Sequence, residues 1–535
     1  MKPQRALIIG WDGATWDYIE PLLAEGRLPH LASLLERGAH ATLRSTIPPF
    51  TNIAWPSLVT GLSPARTGIF DGAKLAPGTY TRRPTNLAAY RGIPLWHWVN
   101  RFGKRAAVFN VPMTYPARPL NGWLVGGFDT PLESEEATWP RGVLNEWAQA
   151  GRPYTILKRE IDLMAQQNPH QPRGDLEAFA QEWVALTEEQ GEFVARFWRD
   201  EAPDLLFTVF TATDSINHRT RQRAMIARIY EAADRALGRI LHETDDETLI
   251  CLVSDHGSTP AWRYIALYRL LAERGWLAFR PEIAPRFWRR LPLVGRHLAR
   301  AWSRLPAHLR RLLSWPLVCY EPRLSTSYET IDWSRTQVYA LTGMGPLYIN
   351  LQGRQPGGVV PPDAFNRLRA QVRAALLETR DEHGEPLFAD VLFGEDAYPD
   401  ANPDDLPPDL VLIPARWSDH MITGFPSDPP VRPIPDTREY GTHTPDGIFV
   451  LAGPGIAQQR RLPSAEIVDV VPTLLAGWGL PLPTGLSGNV LQAAFLEPPA
   501  VEYAEAESSS SGAQAIAVEA DEAILERLRN LGYLE

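Results

Sequence analysis

The sequence predicts an α/β fold: a mostly parallel β-sheet flanked by helices on both faces, with insertions that cap the sheet. Three observations lead to this prediction. Short apolar runs with β-forming residues recur along the chain, and helical patterns follow most of them. This alternation is typical of a parallel sheet, because crossover helices cover both of its faces. With 535 residues, 44% of them apolar, the chain can bury such a sheet and still carry insertions.

The predicted strands and helices alternate along the chain. The clearest helix candidate is 224–242, where Ile226, Ile229, Ala233 and Leu237 recur at helical spacing. The other helix candidates are 19–37 and 176–199, and the predicted strands are 6–10, 106–111, 204–210 and 248–253.

One catalytic domain, residues 1–498, is expected to account for most of the chain. Two long stretches within it, approximately 80–199 and 261–436, interrupt the core pattern, and we expect them to form loops and a cap over the site. Residues 499–515 are polar and of low complexity, which predicts a disordered linker. Residues 516–535 are typical of a short helix, expected to pack on the body, with partner binding as the less favoured alternative.

Composition argues against several classes of protein. A formal net charge of −10 is unlike that of a nucleic-acid coat protein, so no specific nucleic-acid binding is expected. The two cysteines, Cys251 and Cys319, favour a reducing compartment without structural disulfides. The apolar run at 6–10 is too short for a signal peptide, and no run approaches the ~20 residues of a membrane-spanning helix. We therefore expect a cytoplasmic protein.

Three aspartates follow predicted strands directly or within a few residues. Asp12 follows the first strand, Asp214 the strand at 204–210, and Asp255 the strand at 248–253. Taken singly, each would more often be a helix cap or turn residue. Because the carboxyl ends of parallel strands gather ligands at one edge of a sheet, we expect these three acids to converge.

Three histidines accompany the acids. His218 lies four residues after Asp214, a spacing that puts both side chains on one side of a helical turn, and His256 adjoins Asp255. His443 lies in a Gly-Thr-His-Thr segment before an apolar run, where a lone histidine would usually be a surface residue. Together, three carboxylates and three imidazoles suit zinc or manganese and poorly suit magnesium alone.

These features and further short motifs together resemble the alkaline phosphatase superfamily. The similarity is to its type I phosphodiesterase and nucleotide pyrophosphatase branch, and particularly to a prokaryotic group of predicted phosphohydrolases or phosphomutases. Each motif is short, but their common order along the chain is specific. The motifs are 8–13 (IIGWDG), 48–57 (PPFTNIAWPS), 59–61 (VTG), 68–71 (GIFD), 110–116 (NVPMTYP), 213–218 (TDSINH), 254–257 (SDHG), 441–443 (GTH), 469–475 (DVVPTLL) and 479–481 (GLP).

The resemblance implies a hydrolase with two divalent cations, Zn²⁺ being favoured over Mn²⁺, and with Thr51 as the nucleophile. Two such cations carry four positive charges and three aspartates cancel three, so the surplus beside Thr51 favours its alkoxide. A phospho-threonine would form and then be hydrolysed. Thr51 would also suit a helix N-cap, a position that favours a bound phosphate. The implied ligands are Asp214, His218 and His443 for one cation, and Asp12, Thr51, Asp255 and His256 for the other.

One position departs from the pattern of the resembling family. Related nucleotide pyrophosphatases have an asparagine that helps to hold a phosphate oxygen, whereas this chain has Asp71 and Gly72 in that neighbourhood. Asn52, whose amide follows the nucleophile, is a candidate for part of that role, and an exposed turn residue is an equal alternative. The substrate is expected to be a small-molecule phosphate ester, either a diester or a monoester.

Two other functions stay open at this point. A phosphomutase would return the phosphate from the same phospho-threonine to the substrate, and a metal-binding pseudoenzyme would act as an interaction module. Sulfatase activity is disfavoured, because that chemistry replaces Thr51 by a modified cysteine or serine.

A basic segment at 281–315 contrasts with the acidic chain, since it contains eight arginines and a single acid, Glu282. Apolar residues at helical spacing predict two short amphipathic helices there. The favoured interpretation is a cap element whose arginines pair with the acidic surface of the protein. The alternative is peripheral contact with an anionic membrane.

Overall fold

One large β-sheet organises the chain. This computed structural model describes residues 3–85, 90–131, 134–167, 176–280, 328, 330–424, 429–435 and 440–506. The strands of the large sheet are β1 (Arg5–Trp11), β2 (Gly38–Arg44), β3 (Ala106–Val111), β4 (Gly122–Gly126), β5 (Thr138–Trp139), β6 (Leu205–Phe210), β7 (Thr248–Val253), β8 (Asp446–Ala452), β9 (Arg460–Arg461) and β10 (Ala465–Glu466).

The sheet is mostly parallel at its centre. Its order is β9–β2–β8–β7–β1–β6–β3–β4–β5, and β10 also pairs with β2. Neighbours from β7 to β4 all run parallel, whereas β8 is antiparallel to β2 and β7, and β5 is antiparallel to β4. The predicted α/β class is confirmed, and the four predicted strands correspond to β1, β3, β6 and β7 within one residue at each end.

Helices cover both faces of the sheet, because the side chains of the strands alternate between two cores. Leu7 and Ile9 of β1 pack into one core and Ala6 and Ile8 into the other. The helices are Trp16–Ala24, Pro29–Glu36, Thr51–Thr60, Pro64–Thr67, Leu95–Asn100, Val143–Gln149, Arg159–Gln167, Leu176–Asp200, Ala212–Asn217, Arg223–His242, Leu267–Glu273, Phe365–Leu377, Gly394–Ala397 and Val470–Trp478, with 3₁₀ turns at Glu135–Ala137, Pro362–Ala364, Pro403–Asp405, Ile467–Asp469 and Gln492–Ala494.

Two of the three helix predictions are confirmed, and the third is wrong. The helices at 176–199 and 224–242 are present within one residue at each end. The predicted helix at 19–37 is instead two helices, Trp16–Ala24 and Pro29–Glu36. The chain turns between them at Gly26, whose φ is +71°, and Pro29 then opens the second helix, a position that proline favours.

Smaller sheets lie outside the large one. A third hydrophobic core, which includes Ile349 and Leu412, packs around the four-stranded sheet. The strands are Val338–Tyr339, Pro346–Ile349, Leu410–Pro414 and Phe388–Phe393 in that sheet, Asp419–Ile422, Arg263–Ala266 and Val431–Pro433 in a three-stranded sheet, and three pairs: Gly257–Pro260 with Gly441–Thr444, Ala73–Leu75 with Arg82–Pro84, and Leu482–Pro483 with Tyr503–Ala504.

Only one of the two expected insertions lies outside the large sheet. Residues 80–199 are not a cap, because β3, β4 and β5 belong to the large sheet and the Leu176–Asp200 helix packs on it. The described part of 261–436 contributes no strand to the large sheet and supplies every strand of the three- and four-stranded sheets.

The C-terminal predictions are partly corrected. The predicted start of the linker, residue 499, is too early, because Tyr503–Ala504 still pairs with Leu482–Pro483 in a parallel ladder. The predicted helix at 516–535 and the basic segment at 281–315 lie outside the described residues. Among the helices in the described ranges, none combines the length and the apolar character needed to cross a membrane.

Candidate metal centre

The carboxyl ends of three neighbouring strands place the predicted acids at one edge of the sheet. Asp12 follows β1, Asp214 lies in the short Ala212–Asn217 helix after β6, and Asp255 and His256 follow β7. The side chains of these four residues are almost completely buried. The rule for parallel strands predicts this convergence from the sequence. In the structure it arises because β6, β1 and β7 are adjacent and parallel.

Two hydroxyl groups hydrogen-bond to the turn after β1, and a glycine lets this turn pack closely against its neighbours. The Thr213 hydroxyl donates to the carbonyl of Asp12 over 2.6 Å, and the Ser258 hydroxyl donates to that of Gly13 over 2.6 Å. Gly13 has a φ of +64°, and a Cβ there would lie 2.6 Å from Asp214 Oδ1. The turn therefore requires glycine, both for its backbone conformation and for space.

A pair of antiparallel strands brings the distant His443 to the same place. Ser258 in Gly257–Pro260 lies opposite His443 in Gly441–Thr444. The Nδ1 atom of His443 lies 3.1 Å from the carbonyl oxygen of Pro49, just before Thr51. The structure thus joins the final predicted histidine to the segment of the predicted nucleophile.

One group of ligand atoms surrounds Asp214. The Nε2 atom of His218 lies 3.1 Å from Asp214 Oδ2, and that of His443 lies 3.5 Å from Asp214 Oδ1. The two Nε2 atoms are 3.0 Å apart. His256 also has a ligand atom within 4.8 Å of ligand atoms of Asp214 and His443. The structure therefore brings together the three residues that the family resemblance assigns to one cation.

A second group of ligand atoms lies around His256. Its Nε2 atom is 3.2 Å from Asp255 Oδ2, 3.9 Å from Asp12 Oδ1 and 3.1 Å from the hydroxyl oxygen of Thr51. These are the four residues that the family resemblance assigns to the second cation. Because His256 also reaches the first group, the two groups adjoin, and its assignment to one cation stays a prediction.

The proton positions on two histidines leave their Nε2 atoms as ligands. The Nδ1 atoms of His443 and His256 lie 3.1 Å from the carbonyl oxygens of Pro49 and Gly257 respectively. A carbonyl can only accept, so each Nδ1 carries the proton, and a neutral ring then presents a lone pair at Nε2. Burial, with His443 nearby, lowers the pKa of His256 well below its usual value, which favours that neutral ring.

The carboxylates form an unfavourable arrangement by themselves. Burial raises the pKa of Asp12 well above its usual value, and the charges of Asp255 and Asp214 raise it further. Burial, reinforced by Asp214, raises the pKa of Asp255 to about 7. Burial also raises the pKa of Asp214, but His218 and His443 outweigh burial and hold that pKa well below its usual value.

This donor set fits divalent cations. Asp12 Oδ1 and Asp255 Oδ2 are buried and accept no hydrogen bond from any described residue, although such atoms normally have a partner. The Nε2 atom of His256 lies 3.2 Å from Asp255 Oδ2 and 3.9 Å from Asp12 Oδ1. A cation would satisfy both kinds of donor at once, and mixed oxygen and nitrogen donors suit zinc or manganese.

Thr51 opens a helix that points at this centre. The Thr51–Thr60 helix has Phe50 as its N-cap, with no side chain capping it, so the alternative role of Thr51 as N-cap is not observed. Thr51 is instead the first helical residue, completely buried. Asn52 is also buried in the first turn, which argues against an exposed turn residue; its contact with a phosphate oxygen stays a prediction.

Two neighbours of the centre were not found from the sequence. Trp55 donates its indole N–H to Asp12 Oδ2 over 3.2 Å, and its position four residues after Thr51 could have indicated this. His420 lies close enough for His218 and His443 to add to burial in lowering its pKa to about 3. A lone histidine before an apolar pair of residues carries no comparable signal.

The comparison with protein families decides which family this site belongs to. The model of the type I phosphodiesterase / nucleotide pyrophosphatase family matches residues 6–421, which include all predicted site residues except His443. The chain belongs to this family. Type I phosphodiesterases / nucleotide pyrophosphatases are phosphoric ester hydrolases that depend on divalent metals, and the enzyme described here is one of them.

Solved structures share the fold of this phosphodiesterase-family enzyme. Phosphonoacetate hydrolase from Sinorhizobium meliloti 1021, in complex with phosphonoformate, has a TM-score of 0.54 and 18% identity, over 88% of this chain and 94% of that chain. An inactive variant of murine ectonucleotide pyrophosphatase / phosphodiesterase 5, in complex with AMP, has a TM-score of 0.51 and 14% identity, over 91% of this chain and 97% of that chain. These likenesses show an alkaline-phosphatase-like fold. No curated protein sequence matches the chain.

Proposed function

We propose that this enzyme hydrolyses phosphodiesters, with Thr51 as the nucleophile at a centre of two divalent cations. One observation carries the proposal: the buried Thr51 hydroxyl lies at the start of a helix, 3.1 Å from His256 Nε2, and His256 adjoins both groups of predicted ligands. The family description, which names phosphodiesterases, favours diesters over monoesters.

The chain's own residues would hold the cations in two adjoining groups. Asp214, His218 and His443 would bind one cation, and Asp12, Asp255 and His256 the other, beside Thr51. When bound, the cations would supply the positive charge that favours ionised Thr51 and stabilises the oxygens of the reacting phosphate. Zn²⁺ is the favoured ion, because half of the ligands are imidazoles.

Thr51 would act in two steps. Its Oγ1 attacks phosphorus and loses its proton as the new bond forms, while the bond to the leaving oxygen breaks and that oxygen takes up a proton. Water then attacks the phospho-threonine, which restores the Thr51 hydroxyl and releases the second product. The N terminus of the Thr51–Thr60 helix, free of a side-chain cap, would stabilise the phosphate oxygens through its backbone N–H groups.

The decisive experiment compares paired aryl phosphate diesters and monoesters as substrates of the metal-loaded protein. A nucleotide aryl diester belongs in the panel, because the murine relative was solved with AMP. We expect kcat/KM for the diesters to exceed that for the monoesters. Thr51→Ala should lower kcat by roughly a thousandfold or more, as removal of a nucleophile does, with metal content and folding nearly unchanged.

Controls separate the role of Thr51 from a general loss of structure. Thr67→Ala removes a buried hydroxyl that donates to the carbonyl of Pro64, and it should keep nearly full activity. Acid quenching during turnover should trap phosphate on Thr51. Phosphate on another residue, or retained turnover by Thr51→Ala, would contradict the assignment.

A further inference from the structure

A ladder of three side chains crosses the three-stranded sheet next to the metal centre. In register, Tyr264 lies opposite His420 on one neighbouring strand and opposite Arg432 on the other. Residues directly opposite each other project from the same face of a sheet. The Tyr264 ring lies 6.1 Å from that of His420, and the Arg432 guanidinium lies 4.8 Å from the Tyr264 ring.

The face that carries this ladder adjoins the metal centre. The Tyr440 hydroxyl lies 2.6 Å from His420 Nδ1, and Tyr440 directly precedes the strand of His443. The Tyr440 ring also lies 6.1 Å from that of Tyr264. The Ala261 N–H, between the strands of Ser258 and Tyr264, donates to the carbonyl of Tyr440 over 2.9 Å.

The two faces of this sheet differ in how their arginines are paired. On the other face, Arg263 donates to Asp419 Oδ1 over 2.9 Å and to Asp381 Oδ2 over 2.6 Å. On the ladder face, Arg432 Nε is buried and has no hydrogen-bond partner among the described residues. Arg432 as a whole is partly exposed. Because a buried N–H donor without an acceptor is unfavourable, its Nε would gain from an anionic oxygen at this face.

Further basic and aromatic groups extend the ladder face outward. Trp262, two residues before Tyr264 and 54% exposed, has the guanidinium of Arg221 4.1 Å from its ring centroid. Arg221 itself follows His218 by three residues. Two arginines, Arg221 and Arg432, therefore stack on aromatic rings along this face.

We propose that the ladder of Arg432, Tyr264 and His420 is a second anion subsite, which binds a phosphate or carboxylate group of the substrate away from the reacting phosphate. This inference rests on the proposed function, because it takes the reacting phosphate to lie at the metal centre. A guanidinium fork matches the two oxygens of such a group, and Tyr264 holds the fork in place by stacking. The enzyme would then prefer esters that carry a second negative group.

Two non-hydrolysable ligands test the subsite. Phenylphosphonate and 4-carboxyphenylphosphonate share the phosphonate that the metals would bind, and only the second adds a distant carboxylate. Calorimetric titration of the full-length, metal-loaded wild type should show about tenfold or tighter binding of the carboxylated ligand, as expected of a charge-assisted hydrogen bond. Arg432→Gln should lose that preference and keep the phenylphosphonate affinity within about twofold.

The matched control is Arg416→Ala, since Arg416 is 48% exposed and pairs with Asp381; it should keep the preference. Arg432→Lys keeps the charge without the guanidinium fork, so it should show an intermediate preference. This variant replaces Arg432→Gln in the test if Arg432→Gln does not fold. Equal affinities of the wild type for both ligands, or equal weakening of both by the Arg432 variants, would overturn the subsite.

Hydrolysis of aryl phosphates by the same samples separates this inference from the proposed function. Turnover without a binding preference would contradict the subsite alone. A binding preference without turnover would contradict the proposed function and support the subsite.

Discussion

The indole N–H of Trp55 donates to Asp12 Oδ2 over 3.2 Å, and both side chains are completely buried. Trp55 lies one turn after Thr51 in the same helix, so one helix carries the predicted nucleophile and orients a predicted metal ligand. The bond occupies one carboxylate oxygen and leaves Asp12 Oδ1 on the side of His256 Nε2, 3.9 Å away. Outer partners of this kind fix the orientation of a ligand and tune its affinity for metal.

Trp55→Phe should therefore weaken metal binding without disrupting the core. Phenylalanine keeps most of the ring volume but lacks the N–H, so Asp12 can rotate, and we expect affinity for one of the two cations to fall about 10- to 100-fold. Competition with a chelator measures this change. Trp96→Phe is the matched control, because the Trp96 Nε1 is buried without a partner among the described residues. Equal losses in both variants would show a packing effect alone.

A second prediction concerns the number of cations. Elemental analysis should give about two ions per chain, the number that a two-metal clamp requires. His443→Ala should remove close to one of them and most of the activity, because His443 Nε2 lies within 3.5 Å of Asp214 and 3.0 Å of His218 Nε2. His383→Ala, which replaces a histidine whose side chain is 75% exposed, should retain both. Full activity with a single ion would contradict the two-metal centre.

Metal affinity should fall as the pH is lowered below 7. Burial raises the pKa of Asp255 to about 7 and that of Asp12 well above its usual value, so in acid a cation must displace protons from both. Each displaced proton makes the affinity drop roughly tenfold per pH unit. Titrations between pH 5.5 and 8 would show this slope. Asp255→Asn should bind less tightly but with a shallower dependence, and an identical slope would contradict the role of Asp255.

The ends of the central strands could be predicted from sequence, because they depend on local patterns. β1, β6 and β7 are short apolar runs, and the rule that parallel strands present ligands at one edge places Asp12, Asp214 and Asp255 together. The break at Gly26 was missed, although glycine and Pro29 mark it in the sequence. β4 and β5 were missed because a five-residue strand bounded by glycines and a two-residue strand give weak patterns.

The ladder beside the centre depends on pairing that no local pattern specifies. Tyr264 meets His420 and Arg432 only because strands more than 150 residues apart in the chain come together. Which arginine is paired and which is not follows from the pleat of that sheet. Nothing in the sequence distinguishes Arg263 from Arg432, whereas among the described residues Arg263 has two carboxylate partners and Arg432 Nε has none.

Asp71 is a buried carboxyl group at the position where the sequence departs from the family pattern. The Thr342 hydroxyl donates to its Oδ1 over 2.6 Å, and its Oδ2 is buried without a partner among the described residues. Burial raises the pKa of Asp71 to about 7, although the Thr342 hydrogen bond opposes that rise. In the unfolded chain the same group returns to a pKa near 4.

Asp71→Asn should therefore gain stability relative to the wild type as the pH rises. Between about pH 4 and pH 7 the folded wild type keeps a proton on Asp71 that the unfolded chain has lost, so each pH unit lowers its free energy of unfolding by about 1.4 kcal/mol. The total loss, on the order of 4 kcal/mol, is complete above pH 7 and absent below pH 4. Asparagine is neutral at every pH, so the variant does not lose this stability.

Urea unfolding of both metal-free proteins at pH 5 and pH 8 measures the difference. Thr342→Val should enlarge the stability loss of the otherwise wild-type protein, because it removes the hydrogen bond that favours the ionised Asp71 carboxylate. The same stability difference at both pH values would mean that Asp71 ionises in the folded protein as readily as in the unfolded chain.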